Sequence, residues 1–324
     1  MNVLVTGIDG FVGSHLADAL LTQSHLRLFG TIRNRPPVID KKDSSSITRL
    51  QADITDIEEV KSVIFEVKPQ KIFHIAGQAF VPTAIEHPRD TFRVNIDGVL
   101  NILEAVRQLR SKQQISCSVL IISSGQVYGV VPVDRLPIDE SFPLNPTNPY
   151  AVSKVCADLI AQQYRATFGV DAVVARPFNH IGPRQNESFV GSSFAKQIAE
   201  IKLGRREPKL FVGNLEPLRD FTDVRDVVRA YMLLLEKPQR YAVYNVCSEQ
   251  GIAIREILNL LCELSGVDVT IVPDQSRTRL NDIAKIVGAS ERLRTSTGWK
   301  PNIPLRQTLN DLLIYWEDRL RQSA

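Results

Sequence analysis

Apolar residues are grouped in this chain in two alternating ways. Short contiguous runs, rich in Val and Ile, occupy 2–6, 26–32, 71–76, 119–123, 171–175 and 242–246, with a weaker one at 48–52. Such runs are the pattern of strands buried on both faces. Between them, apolar residues recur every three or four positions. Ile57, Val60 and Ile64 share one face of a helix predicted over 56–65, with Asp53 or Thr55 as its cap. Val94, Val99, Ile102, Leu103 and Val106 form a stripe over 91–109. Further helices are predicted over 14–21, 150–168, 223–235, 256–265 and 305–320. Regular alternation of strand and helix predicts an α/β fold with a doubly wound parallel sheet, its crossovers right-handed. After Pro177 the elements shorten, and prolines, glycines and basic residues interrupt them. The reading is a first domain over 1–176, with 218–247 returning to it. A smaller C-terminal α/β lobe then comprises 177–217 and 248–324.

The first predicted strand runs into Gly7, Gly10 and Gly13, and a helix follows. Strand, glycine turn and helix together present backbone N–H groups and a positive helix end to a phosphate. Gly7 serves the sharp turn, Gly10 the approach of a pyrophosphate, and Gly13 the close packing of helix on strand. The expected ligand is a dinucleotide, with Phe11 and Val12 at the helix start among its contacts. The sheet is therefore of the Rossmann type.

Composition narrows the class. The 324 residues are 44% hydrophobic and 23% charged, enough for a sizeable core, and the net charge of +3 is too small and dispersed to suggest nucleic acid. No apolar run is long enough for a membrane span. The first residues read as a strand without a basic leader, so no signal peptide is expected. Cys117, Cys156, Cys247 and Cys262 show neither paired nor metal-ligand spacing. All four fall in apolar segments, which reads as buried free thiols, no metal, and a reducing, cytoplasmic compartment.

The cofactor is read at the end of the second strand. NAD-specific enzymes place an acid there for the ribose 2′-hydroxyl. Here Arg33 and Arg35 stand instead, suited to a 2′-phosphate, so NADP(H) is expected. Asp53, with Ile54, follows the third strand and either holds the adenine amino group or caps the next helix. Ala76 and Gly77 end the fourth strand, beside the adenosine ribose and pyrophosphate. Tyr150 and Lys154 are one helical turn apart, so a lysine lies beside a phenol. That lysine and a cationic nicotinamide would lower a phenol pKa that is ordinarily near 10. Lys154 can also bond the nicotinamide ribose. Ser124 closes an apolar strand where parallel sheets hold their ligands, and can share a substrate oxygen with Tyr150.

Three segments together resemble one family. Val5-Thr6-Gly7-x-x-Gly10-Phe11-Val12-Gly13-Ser14-His15-Leu16, Ser123-Ser124-x-x-Val127-Tyr128-Gly129 and Pro149-Tyr150-x-x-Ser153-Lys154 are similar to the extended short-chain dehydrogenases/reductases. These are nucleotide-sugar epimerases, dehydratases and reductases. The resemblance implies Ser124, Tyr150 and Lys154 as the catalytic set and Asn95 as a positioning residue. It also implies a homodimer through the helices at 91–109 and 150–168. Dehydratases of this family carry glutamate at the position of Gln126, and sometimes aspartate at that of Gly125. Neither Gly125 nor Gln126 can do that acid-base work.

Residues 175–185, Phe189, 194–198, 212–215, 219–226 and 244–248 resemble the family's GDP-mannose branch. The resemblance implies Asn179 on the sugar diphosphate and Arg219 with Arg279 clamping its phosphates. Gln126, Arg184 and Lys196 complete the expected substrate contacts. Without a resemblance, Arg219 reads equally as a partner of Asp220 or Asp223. The function implied is NADPH-dependent reduction of the C4 keto group of a GDP-linked 4-keto-6-deoxyhexose. A nucleotide-sugar 4-epimerase and a non-catalytic NADP-binding regulator are the alternatives.

Overall fold

The computed structural model describes residues 1–33, 46–236, 241–277 and 283–322. The chain begins β1 (Asn2–Thr6), α1 (Phe11–Leu21), β2 (Arg27–Ile32), β3 (Ile47–Gln51), α2 (Ile57–Val67) and β4 (Lys71–His74). Then come α3 (Val81–Glu86), α4 (Pro88–Phe92), a π-helical turn (Arg93–Asp97), α5 (Gly98–Gln113), β5 (Ser118–Ile122), α6 (Pro149–Phe168) and β6 (Asp171–Pro177). The remainder is β7 (Asn179–Ile181), α7 (Val190–Lys202), β8 (Lys209–Val212), β9 (Leu218–Asp223), α8 (Val224–Glu236), β10 (Val243–Val246), β11 (Gly251–Ala253), α9 (Ile254–Ser265), β12 (Thr270–Pro273), β13 (Lys285–Ile286), α10 (Glu291–Thr297) and α11 (Leu305–Gln322).

Seven strands form one sheet in the order β10-β6-β5-β4-β1-β2-β3. Every pairing in it is parallel. One face is covered by α1 and α8 over a core containing Val3, Val5, Leu16, Tyr231 and Tyr244. The other is covered by α2, α5 and α6 over Leu4, Ile64, Ile102, Val119 and Ala161. Burial on both faces explains why these strands read as apolar runs rather than alternations. The second lobe has its own core, where α7, α9 and α11 close over Phe194, Ile198, Leu258, Leu312 and Trp316. Its four-stranded sheet centres on β9, paired with β7, β11 and β13.

Four sequence expectations change in detail. The chain does return to the large sheet, but from Val224: Leu218–Asp223 is a strand of the smaller sheet. The cap of α2 is Asp56, whose carboxylate accepts from the N–H groups of Glu58 and Glu59. Asp53 instead accepts from Thr55 N and Oγ1, both at 2.9 Å, in a turn one step earlier. The helix predicted over 91–109 starts at Pro88 and is interrupted by the π-helical turn around Asn95. Of the four free cysteines, Cys117 and Cys247 are buried, whereas Cys156 and Cys262 are partly exposed.

Candidate active site

The strand order reverses at β1, between β2 and β4, which opens a crevice over the carboxyl ends of the strands. A cleft of about 1920 Å³ fills this crevice and runs between the two lobes. Gly7 has φ 67°, and a Cβ there would stand 3.0 Å from the Ala76 backbone. A Cβ on Gly13 would overlap the Gly7 carbonyl oxygen. The turn therefore fits tightly between β1, β4 and α1. Gly10 caps α1 without a side-chain bond, and the first turn of α1 carries no acid. Its N–H groups face a cleft lined by Gly10, Phe11 and Val12, a ready seat for an anion. The acid within the glycine turn, Asp9, is neutralised from β3 by Arg49, whose Nη2 lies 3.1 Å from Oδ1.

Other predicted cofactor residues line the same stretch: Arg33, Asp53, Ile54, Ala76 and Gly77. The Arg33 guanidinium is largely exposed, 4.0 Å from the Asp53 carboxylate. Arg35 lies outside the described residues.

The proton-handling groups are brought together by two local devices. Asn148 accepts from Ala151 N at 2.9 Å and Pro149 follows it, so Tyr150 enters the first turn of α6. The end of β5 is stitched to α6 twice. Ser123 Oγ donates to Lys154 O at 3.2 Å, and Lys154 Nζ donates to Ile122 O at 2.9 Å. The Tyr150 phenol shares a hydrogen bond with the Ser124 hydroxyl, and Lys154 Nζ stands 5.9 Å from the Tyr150 ring centroid. Ser124 Oγ also accepts from Gln126 N at 3.2 Å.

Burial pushes the Tyr150 pKa above its ordinary value, although the Ser124 bond pulls the other way. The depression expected from the neighbouring lysine is absent in the free protein. Burial lowers Lys154 to about 8. Both shifts have one cause, the removal of water from the charged form.

Asn95 is 2% exposed. Its Oδ1 accepts from Gln78 N at 2.8 Å, and its Nδ2 donates to Gln78 O and Ser153 Oγ, each at 2.9 Å. It thus locks the loop after β4 to the turn of α6 that carries Lys154. The π-helical turn aims this side chain, a common use of such distortions. His74 supports the same loop. Its Nδ1 lies 2.9 Å from Thr6 Oγ1, and that oxygen accepts from Ala76 N at 3.1 Å. Burial, then the nearby Lys154 charge, lowers His74 to about 3, so the ring is neutral.

The second lobe supplies the opposite wall. Asn179, Lys196 and Arg219 line it, and Gln126 faces them from the first lobe. Lys196 Nζ is 2.8 Å from Glu187. Asp220 and Asp223 have partners of their own: Ser248, Glu249 and Gly288 on the first, Arg225 on the second. Two aromatic contacts join the walls, Phe80 on Phe189 at 5.7 Å and Phe11 stacked on His180 at 5.9 Å. Arg184 departs from expectation. It is not in the cleft wall; it turns away at φ 71° and pairs with Asp18 of α1 at 2.7 Å. Arg279 lies outside the described residues.

Sequence reasoning left His74, Gln78, Asp9 and Tyr231 unassigned, although all but His74 line the cleft. His74 was visible only as one residue of the predicted strand at 71–76; its burial and its hydrogen-bonded loop were not.

Comparison with known proteins gives this geometry a family. The family model described as GDP-mannose 4,6 dehydratase matches residues 4–312. GDP-6-deoxy-D-mannose reductase from Pseudomonas aeruginosa is 40% identical over 321 residues, covering 99% of each chain. GDP-mannose 4,6 dehydratase 2 from Arabidopsis thaliana is 31% identical, covering 93% of this chain and 82% of its own. Among solved structures, RMD from Pseudomonas aeruginosa complexed with NADPH superposes with a TM-score of 0.83 at 40% identity, over 98% of this chain and 99% of that one. With its parallel seven-stranded sheet, its glycine turn and its Ser124-Tyr150-Lys154 group, the chain belongs to the GDP-mannose 4,6-dehydratase family of extended short-chain dehydrogenases/reductases.

Proposed function

We propose that this protein reduces the C4 keto group of GDP-4-keto-6-deoxy-D-mannose with NADPH, giving GDP-D-rhamnose. The observation that carries this reading is the company Tyr150 keeps. A phenol that holds its proton shares a bond with Ser124, while the adjoining positions are Gly125 and Gln126. Dehydration needs a carboxylate at one of these. A side chain at 125 would also press on the Phe178 ring, 3.0 Å from a Cβ. Support comes further from the reductase relative at 40% identity and from a neighbour whose structure holds NADPH.

The cradle of this chain fits such a cofactor. The open N-terminus of α1 and the glycine turn would hold the pyrophosphate. Arg33 would meet a 2′-phosphate. Lys154 would bond the nicotinamide ribose with the protons not given to Ile122 O. When bound, NADPH supplies the hydride that C4 receives. The residues handle the rest. Ser124 accepts from Gln126 N and so has its own O–H to donate to the C4 oxygen. Tyr150 donates beside it and transfers its proton to that oxygen as negative charge develops there. The Lys154 ammonium stabilises the phenolate left behind. A pKa raised by burial suits this direction, because the acid must arrive protonated.

Arg219, Asn179 and Lys196 would hold the nucleotide diphosphate from the second lobe. Hydride transfer involves only C4, so these contacts serve orientation. The same reading places the protein in the cytoplasm as a homodimer through α5 and α6. Leu100 and Leu159 on these helices are 39% and 53% exposed, apolar groups that a partner copy would cover. Among the described residues no helix is long and apolar enough to cross a membrane.

The test is NADPH oxidation on addition of freshly made GDP-4-keto-6-deoxy-mannose. One NADPH should disappear per sugar. Turnover that leaves NADPH intact would convert the assignment to an epimerase.

A further inference from the structure

The second lobe's wall carries an acid among its cations. Lys196, Gln197 and Glu200 of α7 line the cleft, as do Arg206 before β8 and Phe211 within it. Positions three or four apart share one helix face, so Glu200 stands one turn beyond Lys196. Phe211 is 36% exposed, a large apolar ring in the cleft wall. Gln197 clamps its backbone: Oε1 accepts from Phe211 N at 3.0 Å, and Nε2 donates to Phe211 O at 3.2 Å. Arg206 Nη1 donates to the same Oε1 at 3.0 Å, and Arg206 Nε donates to Glu200 Oε2 at 2.8 Å. The guanidinium lies 6.0 Å from the Phe211 ring centroid. An aromatic face thus has a held carboxylate and a guanidinium beside it. The Glu200 side chain is 18% exposed. Its Oε1 is 3.9 Å from Lys196 Nζ, beyond hydrogen-bond reach. That oxygen is left to accept from a ligand.

A carboxylate is out of place in a wall that grips a diphosphate, because like charges repel. It suits an uncharged part of the ligand that offers donors. Guanine presents two adjacent donors on one edge, N1–H and the 2-amino group, with the O6 acceptor beside them. A carboxylate accepts from both at once. Arg206, with Nε and Nη1 engaged, still has Nη2 to donate to O6. Uracil and thymine present one N–H between two carbonyl oxygens. Against them a carboxylate oxygen would face an acceptor, which is repulsive. Phe211 offers a flat face on which a base stacks. We propose that Glu200 is a specificity-determining residue that accepts from the N1–H and 2-amino group of guanine, with the base on Phe211 and Arg206 holding the carboxylate. This rests on the GDP-sugar reading above.

Calorimetric titration with free nucleoside diphosphates tests it without turnover. Wild-type protein should bind GDP about 10-fold tighter than IDP, which lacks only the 2-amino group. Glu200→Gln keeps an acceptor for Arg206 but turns an N–H group toward the guanine donors. It should weaken GDP by about 10- to 100-fold and leave UDP within about 2-fold of wild type. The ratio of GDP to IDP affinity should fall to about 1 in the variant, since the two changes remove one interaction. Equal affinity of the wild type for GDP and IDP overturns the proposal, and this arm needs no variant to fold. A variant that weakens GDP and UDP alike also overturns it, since Glu200 then only braces Arg206. So does a variant with wild-type affinity for GDP. Failure of the GDP reading is seen separately, as wild-type protein that binds UDP or dTDP as tightly as GDP, and the proposal falls with it.

Discussion

Asp158→Asn is expected to destabilise the protein severely, although Asp158 does not line the cleft. Arg176, at the end of β6, is 5% exposed at its side chain and Asp158 is 0% exposed. Arg176 Nε donates to Asp158 Oδ2 at 2.7 Å, and Nη1 donates to the Tyr128 hydroxyl at 2.8 Å. Tyr128 passes a bond of 2.7 Å to Asn245 Oδ1, and Asn245 holds the carbonyls of Ile138 and Ala289. This network joins α6, the turn after Ser124, and the chain entering the Asn179 loop. An asparagine keeps the shape and one hydrogen bond but leaves a guanidinium buried without its counter-charge. Breaking a buried pair in this way costs about 3–5 kcal/mol. At roughly 2 °C per kcal/mol for a chain of this size, the melting temperature should fall by about 6–10 °C. Thermal unfolding without cofactor, at fixed protein concentration, measures it. The double variant Asp158→Leu with Arg176→Met removes both charges and should recover most of the loss. A single variant that melts within about 2 °C of wild type would refute the reasoning.

Four further outcomes follow from the site. Tyr150→Phe should lower kcat by about 10²-fold or more while NADPH still binds, since a general acid is lost and the ring is kept; near-normal turnover would mean another acid. The rate should fall on the basic side near pH 8, where Lys154 loses its proton, because its pKa is lowered to about 8 by burial. Lys154→Arg should move that limb upward by more than one unit at reduced rate, and an unmoved limb would assign it elsewhere. GDP should compete with substrate far better than UDP or dTDP, while Arg219→Ala should weaken all three alike, by about 10- to 150-fold for a lost charge-assisted bond, as read by inhibition with free nucleotides. GDP-mannose incubated with NADP should yield no 4-keto-6-deoxy sugar, and clear accumulation would contradict the reading of Gly125 and Gln126.

The large sheet was legible because its strands are buried on both faces and its helices are amphipathic, so period alone separated them. The glycine turn and the Asn148-Pro149 start of α6 were legible for a related reason: their backbone geometry requires particular residues. The assignment of 218–223 failed because β9 is short and extended in either sheet, and only its partners decide. Arg184 shows a second limit. An arginine in a loop beside a site can turn either way, and Asp18, from a distant part of the sequence, decided it. The π-helical turn at Asn95 adds one residue to a helix whose apolar stripe continues past it, so no period reveals it.

The central claim is that hydride reaches C4 of a GDP-linked keto sugar and stays there. The most direct measurement supplies NADPH deuterated on the transferred face of nicotinamide C4, together with GDP-4-keto-6-deoxy-mannose, and locates the label in the isolated sugar. The account predicts one deuterium per sugar, at C4, with one cofactor oxidised for each. A product without deuterium, or with the label anywhere but C4, would contradict it.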